Sequence, residues 1–335
     1  MQHSLEIVSH KRLPPGGIKF LPNLRYLLDP KNTDLYRTEF ITKLADIADV
    51  YINCAFGCSH RVTKSIKLLP QMMRQKGKLV VAGVLLYQEI NRIGKFAGRI
   101  LSQPKKTLVV AGGAKISDKI EVLKQFVLTG VKSILIGGKM ANAFLLAQQQ
   151  KELIQPFHTD KLPAKLLSQK VQENEELLKE INLAEEIIEL AEINQVALIF
   201  PDDYKVVSDY QSPIFENKVT PDFSKELQLD LGEKTINQFE DLFKDIKNVF
   251  WNGPLGAYDH PLCTSYAEGS LELAKLLYKK ALLNPNFSVV IGGGDSAAIL
   301  DKIGGNELKK MIKSQIEKII PPTINRNQIA IDFLE

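Results

Sequence analysis

The sequence predicts an α/β protein with a parallel, doubly wound sheet, in a chain long enough for two domains. Three observations carry this expectation. First, six short runs rich in Val, Ile and Leu end in glycine or a polar turn: KLVVAG at 78–83, TLVVAGG at 107–113, SILIGG at 133–138, VALIFP at 196–201, NVFWNGP at 248–254 and SVVIGGG at 288–294. Runs apolar almost throughout belong to strands covered on both faces. Second, stretches with helical spacing separate them, as the crossovers between parallel strands require. Third, 335 residues are enough for two packed cores of ordinary size.

In chain order, VLLYQEINRIGKFAGRIL after the first run reads as one amphipathic helix that ends before Pro104, and it is the best place for a domain boundary. SDKIEVLKQFVL after the second run and MANAFLLAQQQ after the third carry apolar residues at helical spacing. From Lys165 to Glu192, around QENEELLKEINLAEEIIELAE, the chain reads as a long charged helix or helix pair whose charges form one solvated face. Pro156, Pro163, Pro201, Pro213 and Pro221 punctuate the loops around it.

Composition narrows the function classes. Forty-three basic against 39 acidic residues, a net +4, is too balanced for a polybasic nucleic-acid surface and suits small anionic substrates. Cys54, Cys58 and Cys263 make an odd count, so a reducing compartment fits better than a disulfide framework. Cys54 and Cys58 have no second Cys or His pair at metal-site spacing, and a buried structural role is expected for them. The N-terminus has no apolar core of signal-peptide length and no run of about eighteen apolar residues occurs, so a cytoplasmic protein without membrane contact is expected.

Three glycine-rich turns carry candidate chemistry. In TLVVAGGAKISDKI a strand runs into Gly112, Gly113 and Ala114 and then into a helix bearing Lys115 and Lys119. Glycines admit a phosphate close to the backbone, and a helix start offers free amides and a positive dipole end. The two lysines, four apart, share one side of the first turn; a tight turn with two solvated lysines is the alternative. No GxxxxGK[ST] is present. In SVVIGGGDSAAIL, Gly292, Gly293 and Gly294 precede Asp295 and Ser296. A carboxylate beside phosphates calls for a bridging cation, and Mg²⁺ takes one or two carboxylates plus phosphates; Asp295 as a plain helix cap is the alternative. In NVFWNGPLGAYD, Asn252, Gly253, Pro254 and Gly256 form a turn, with Asp259 where a carboxylate could accept ribose hydroxyls; an ordinary loop turn is the alternative.

GGAKISDKI, IGGKMANAFL, FWNGPLGAYD and IGGGDSAA, in this order, resemble phosphoglycerate kinase, and the likeness continues upstream through NLRYLLDP, LADIADVYINCAFGCSHRV and VLLYQEI. It runs from about residue 16 to about residue 300. The resemblance implies two doubly wound, Rossmann-like domains joined by a hinge helix: residues 1–98 binding 3-phosphoglycerate, with the connecting helix, and residues 99–335 binding Mg·ATP or Mg·ADP. It further implies Lys119 as the nucleotide-phosphate lysine, Lys115 as the group steadying the transferred phosphoryl, and Asp295 as the Mg²⁺ ligand. Gly112, Gly113, Ala114, Leu229, Asn252, Pro254, Asp259, Gly293, Gly294 and Ser296 would line the nucleotide, while Arg25 and Arg61 would bind the acid substrate's phosphate.

The departures set further expectations. The family's DFNVP strand and HLGRP loop have no counterpart, so the N-terminal domain is expected to be incomplete, with lowered activity and a monomeric chain or one whose partner covers that domain. Cys54 stands where the family has aspartate, Asp259 where it has glutamate, and Lys139 where it often has a small residue beside the adenine; after Leu308 the family's glycine triplet is absent. A nucleotide-binding module or partner subunit without catalysis is the second reading.

Overall fold

A computed structural model describes residues 17, 18, 20, 21, 34–59, 62–154, 174–219, 221, 226–293 and 296. The chain divides into two compact units, Met1–Lys95 and Phe96–Glu335. The division lies inside the helix Val84–Ser102, the one the sequence marks as a boundary, three residues before the expected break after residue 98.

In the first unit, helix α1 (Asp34–Ile47) is followed by strand β1 (Val50–Asn53), helix α2 (Leu69–Gln75) and strand β2 (Leu79–Ala82), with the start of α3 (Val84–Ser102) behind it. β1 and β2 pair in parallel, Val50 opposite Leu79. Phe40, Ile41 and Ala45 of α1 pack on Leu69 and Met73 to make the core of this unit. Lys78 closes the end of α1, donating to the carbonyls of Ala45, Asp46 and Ala48 at 2.8, 2.6 and 2.8 Å. A cation on these unpaired carbonyls satisfies them and opposes the helix dipole. Cys54 and Cys58 are free and exposed, which corrects the buried role expected of them; the chain here is loop and a short 3₁₀ turn, outside the core cluster of this unit.

The second unit is a five-stranded, all-parallel sheet in the order β10-β9-β3-β4-β5, with β3 (Thr107–Ala111), β4 (Ser133–Ile136), β5 (Ala197–Ile199), β9 (Asn248–Asn252) and β10 (Ser288–Gly292). Each strand grows from one of the apolar runs. Helices α4 (Ile120–Leu128), α5 (Ala141–Ile154) and α6 (Glu175–Ile193) cover one face, where Val109, Ala111, Ile134 and Ile136 meet Leu123, Phe144, Ile181 and Ile187. On the other face Leu108, Val110, Leu135, Val249 and Trp251 meet Phe239 and Phe243, around the short helices α7 (Glu233–Asn237) and α8 (Phe239–Leu242), and Leu273 and Leu277 of α9 (Glu268–Leu283). Alternate side chains of one strand thus enter opposite cores, the meaning of doubly wound.

A second sheet, antiparallel and in the order β7-β6-β8, is formed by Tyr204–Val207 (β6), Glu216–Lys218 (β7) and Leu227–Leu231 (β8). Sequence reading does not anticipate it: these strands are three to five residues long and include ENK, which has no apolar alternation.

Candidate functional site: a cavity at the carboxyl ends of the sheet

From β3 the chain steps outward to β4 and β5, then returns to the other side of β3 with β9 and β10. The order therefore reverses between β3 and β9, and ligands of open α/β sheets bind in the crevice beyond the carboxyl ends at such a point. Here the turns after β3, β4 and β9 meet as a seam of backbone. Gly112 donates to the Asn252 carbonyl at 2.9 Å, Gly113 to that of Pro254 at 2.8 Å, and Gly138 to that of Leu255 at 3.1 Å. A Cβ on Gly112 would stand 2.1 Å from the Pro254 oxygen, and one on Gly138 2.6 Å from the Gly113 nitrogen. Gly113 and Gly253, at φ +112° and +93°, hold conformations that side chains disfavour.

The amides of Gly112 and Gly113 are thus engaged within the chain. So is that of Gly253, which donates to the buried Ser296 hydroxyl oxygen at 2.8 Å. The glycines serve the close approach of three turns.

Beside the seam lies a cavity of about 690 Å³. Gly113, Ala114, Lys115, Lys119, Leu229, Pro254 and Asp259 line it, as does Lys139. Lys119 stands just before the start of α4 and lies across the seam, its Nζ 3.3 Å from where a Gly113 Cβ would be and its Cε 3.1 Å from where a Gly253 Cβ would be. A side chain at Gly113 would crowd the lysine, and one at Gly253 would first meet the Gly112 carbonyl, 2.3 Å away. Asn252 ends β9, with its carbonyl in the seam and its side chain against Gly292 and Gly293. Asp259 is exposed at the rim. Arg25, Arg61, Gly294 and Asp295 lie outside the described residues.

The far wall is β8, which carries Leu229 and Leu231, and a buried polar group holds it in place. Lys205 of β6, fully buried, donates to the Ser265 carbonyl at 2.8 Å and to the Glu268 carboxylate, and stands 4.0 Å from Asp230. Asp230 accepts from the Gly269 amide at 2.9 Å. Burial pushes the Asp230 carboxyl up to about 7, against the pull of the Gly269 amide and the Lys205 ammonium.

Sequence reasoning placed the glutamates of α6 on a solvated face, and two of them are at this site. The Lys115 ammonium is paired with the Glu176 carboxylate. Hydrogen bonding to Glu176 holds Lys115 above the ordinary lysine range, and Lys115 with Lys139 holds Glu176 below that of a carboxylate. Glu180, one turn on, accepts from the Ile116 amide, from the Ser117 amide at 3.3 Å and from the Ser117 hydroxyl at 2.7 Å. About sixty residues separate these partners in sequence, and in a glutamate-rich helix no local signal distinguishes Glu176 and Glu180 from their neighbours.

Among the described residues no three His, Cys, Asp or Glu side chains are grouped to hold a metal. The charged rim of lysines fits the chemistry of an Mg²⁺-nucleotide, in which phosphate oxygens and water supply most of the coordination and the protein one or two carboxylates. No helix among the described residues is long and apolar enough to cross a membrane.

Comparison with known proteins agrees with this geometry. The family model described as phosphoglycerate kinase matches residues 4–313. The chain is similar to the phosphoglycerate kinase of Streptomyces coelicolor, 34% identical over 304 residues, covering 88% of this chain and 66% of that protein. It is likewise similar to the phosphoglycerate kinase of Lactobacillus gasseri, 38% identical over 264 residues, covering 78% and 57%. Among solved structures, phosphoglycerate kinase from Coxiella burnetii superposes with a TM-score of 0.57 at 25% identity, over 81% of this chain and 61% of that one. The chain thus spans less than two thirds of the length of these relatives. The matched segment takes in most of both units and all three glycine turns of the seam: the chain belongs to the phosphoglycerate kinase family.

Proposed function

We propose that the chain is a phosphotransferase that exchanges a phosphoryl group between the acyl phosphate of 1,3-bisphosphoglycerate and ADP, a glycolytic step giving 3-phosphoglycerate and ATP. The observation that carries this reading is the cavity at the switch point, rimmed by Lys115 and Lys119 and walled by Leu229 and Leu231. Its volume suits a ligand of nucleotide size. In this reading the nucleoside lies against β8 with Asp259 at the ribose, Lys119 meets the nucleotide phosphates, and Lys115 meets the group in transfer. Phosphoryl transfer asks little covalent chemistry of a protein; it needs alignment and countercharge, which two lysines at one cavity edge supply. Asp295 would hold Mg²⁺, whose charge offsets that of the phosphates, and Arg25 and Arg61 would bind the phosphate of the acid substrate. The enzyme would act on small molecules in the cytoplasm.

A coupled assay of ATP formation from 1,3-bisphosphoglycerate and Mg·ADP tests this. Turnover abolished by Lys119→Ala supports the reading. Mg·ADP binding without turnover makes the chain a non-catalytic nucleotide-binding module, and absence of binding rejects both.

A further inference from the structure

The loop that carries both lysines, residues 114–119, has two anchors. Ile116 turns its side chain into the core, fully buried. Its amide, together with the amide and hydroxyl of Ser117, is taken by the single carboxylate of Glu180. An ionised carboxylate accepting three donors is the stronger kind of hydrogen-bonded contact. Glu176 and Glu180 are four apart and share one face of α6. The helix itself is fixed at its start by Asn174, whose side chain accepts from the Leu177 amide at 3.1 Å, and along its length by buried Ile181, Ala184, Ile187, Ile188 and Ala191.

We infer that α6 provides a two-carboxylate clamp on the lysine loop: Glu180 is a positioning residue that sets where Lys115 and Lys119 stand, and Glu176 is the resident counter-ion that Lys115 exchanges for a ligand phosphoryl oxygen. The inference rests on the nucleotide reading of the cavity. It assigns the two glutamates opposite effects on phosphate affinity, because one builds the site and the other competes with the ligand. The Lys115–Glu176 pair is half exposed, with side-chain accessibilities of 50% and 69%, so its exchange is nearly balanced and sensitive to salt.

The test compares Glu176→Gln, Glu180→Gln and the parent chain by titration with Mg·ATP, which carries the phosphoryl group that Lys115 meets, and with adenosine, which has no phosphate, and by acetic anhydride labelling of Lys115 relative to the exposed Lys244 in ligand-free protein. Glu176→Gln is expected to tighten Mg·ATP about two- to five-fold at low ionic strength, with the gain fading as salt is added, and to speed Lys115 labelling by a similar factor. Glu180→Gln is expected to weaken Mg·ATP about tenfold. Adenosine affinity should be unchanged in both, whereas general damage to the fold would move both ligands together. Unchanged Mg·ATP affinity and labelling in Glu176→Gln, or equal loss of adenosine and Mg·ATP in Glu180→Gln, overturns the clamp. If the parent chain binds neither ligand, the nucleotide reading fails, and the labelling of ligand-free Lys115 still decides whether Glu176 is its counter-ion.

Discussion

Two strands of this molecule have the same four residues, Leu-Val-Val-Ala: Leu79–Ala82 in β2 and Leu108–Ala111 in β3. In β3 none of the four is more than 2% exposed, because helices cover both faces of a sheet with strands on either side. In β2 only Val80 points to a core, while Leu79 and Val81 are 57% and 38% exposed on a two-stranded sheet. Identical local sequence has made a parallel strand in both places. Burial, and with it the energy each side chain contributes, was set by what packs on it.

The substitutions that probe this contrast differ widely in size. Leu108→Ala in β3 should cost about 2 to 5 kcal/mol in chemical denaturation, since it opens a cavity in a core with little room to collapse. A loss under 1 kcal/mol would show that the second unit is less tightly packed than described. Next is the buried polar group behind β8. Asp230 has its folded pKa raised to about 7, above its unfolded value of 3.8, so the folded state holds a proton that the unfolded state releases. The resulting stability is full below about pH 4 and is lost as pH rises to about 7, by something on the order of 4 kcal/mol. Asp230→Asn should remove that slope from the stability–pH curve, and a variant that keeps it would show that another group titrates.

A smaller loss, about 1 to 3 kcal/mol, is expected for Gly138→Ala, at φ +65° and 2.6 Å from the Gly113 nitrogen, read as a lower midpoint in thermal melting. Retained stability there would mean that the seam of turns is looser than its hydrogen bonds indicate. The smallest change, about 0.5 kcal/mol or less, belongs to Leu79→Ala, the counterpart of Leu108→Ala on the exposed face of β2. A cost equal to that of Leu108→Ala would mean that Leu79 is covered in solution, and the contrast between the sheets would fall.

The same contrast explains what could be read from sequence. All six apolar runs became parallel strands, because near-continuous Val, Ile and Leu bounded by glycine is a local signal. β7, with the residues ENK, exists only by pairing with β6 and has no such signal. At the site, the glycine turns could be found, but what they do could not. Gly112 and Gly113 read as a turn that admits a phosphate close to the backbone, and only the paths of β9 and its loop show where their amides go. Glu180 is further still from detection, since its partners arrive from another turn of the fold about sixty residues away.

The central claim is that the cavity at the β3–β9 switch point takes a nucleotide by its phosphates through Lys119. Calorimetric titration of Mg·ADP into the parent chain and into Lys119→Ala tests it most directly. Saturable one-to-one binding is expected, weakening about ten- to a hundredfold when the ammonium is removed. Equal affinity in the two proteins, or no binding to the parent chain, would contradict it.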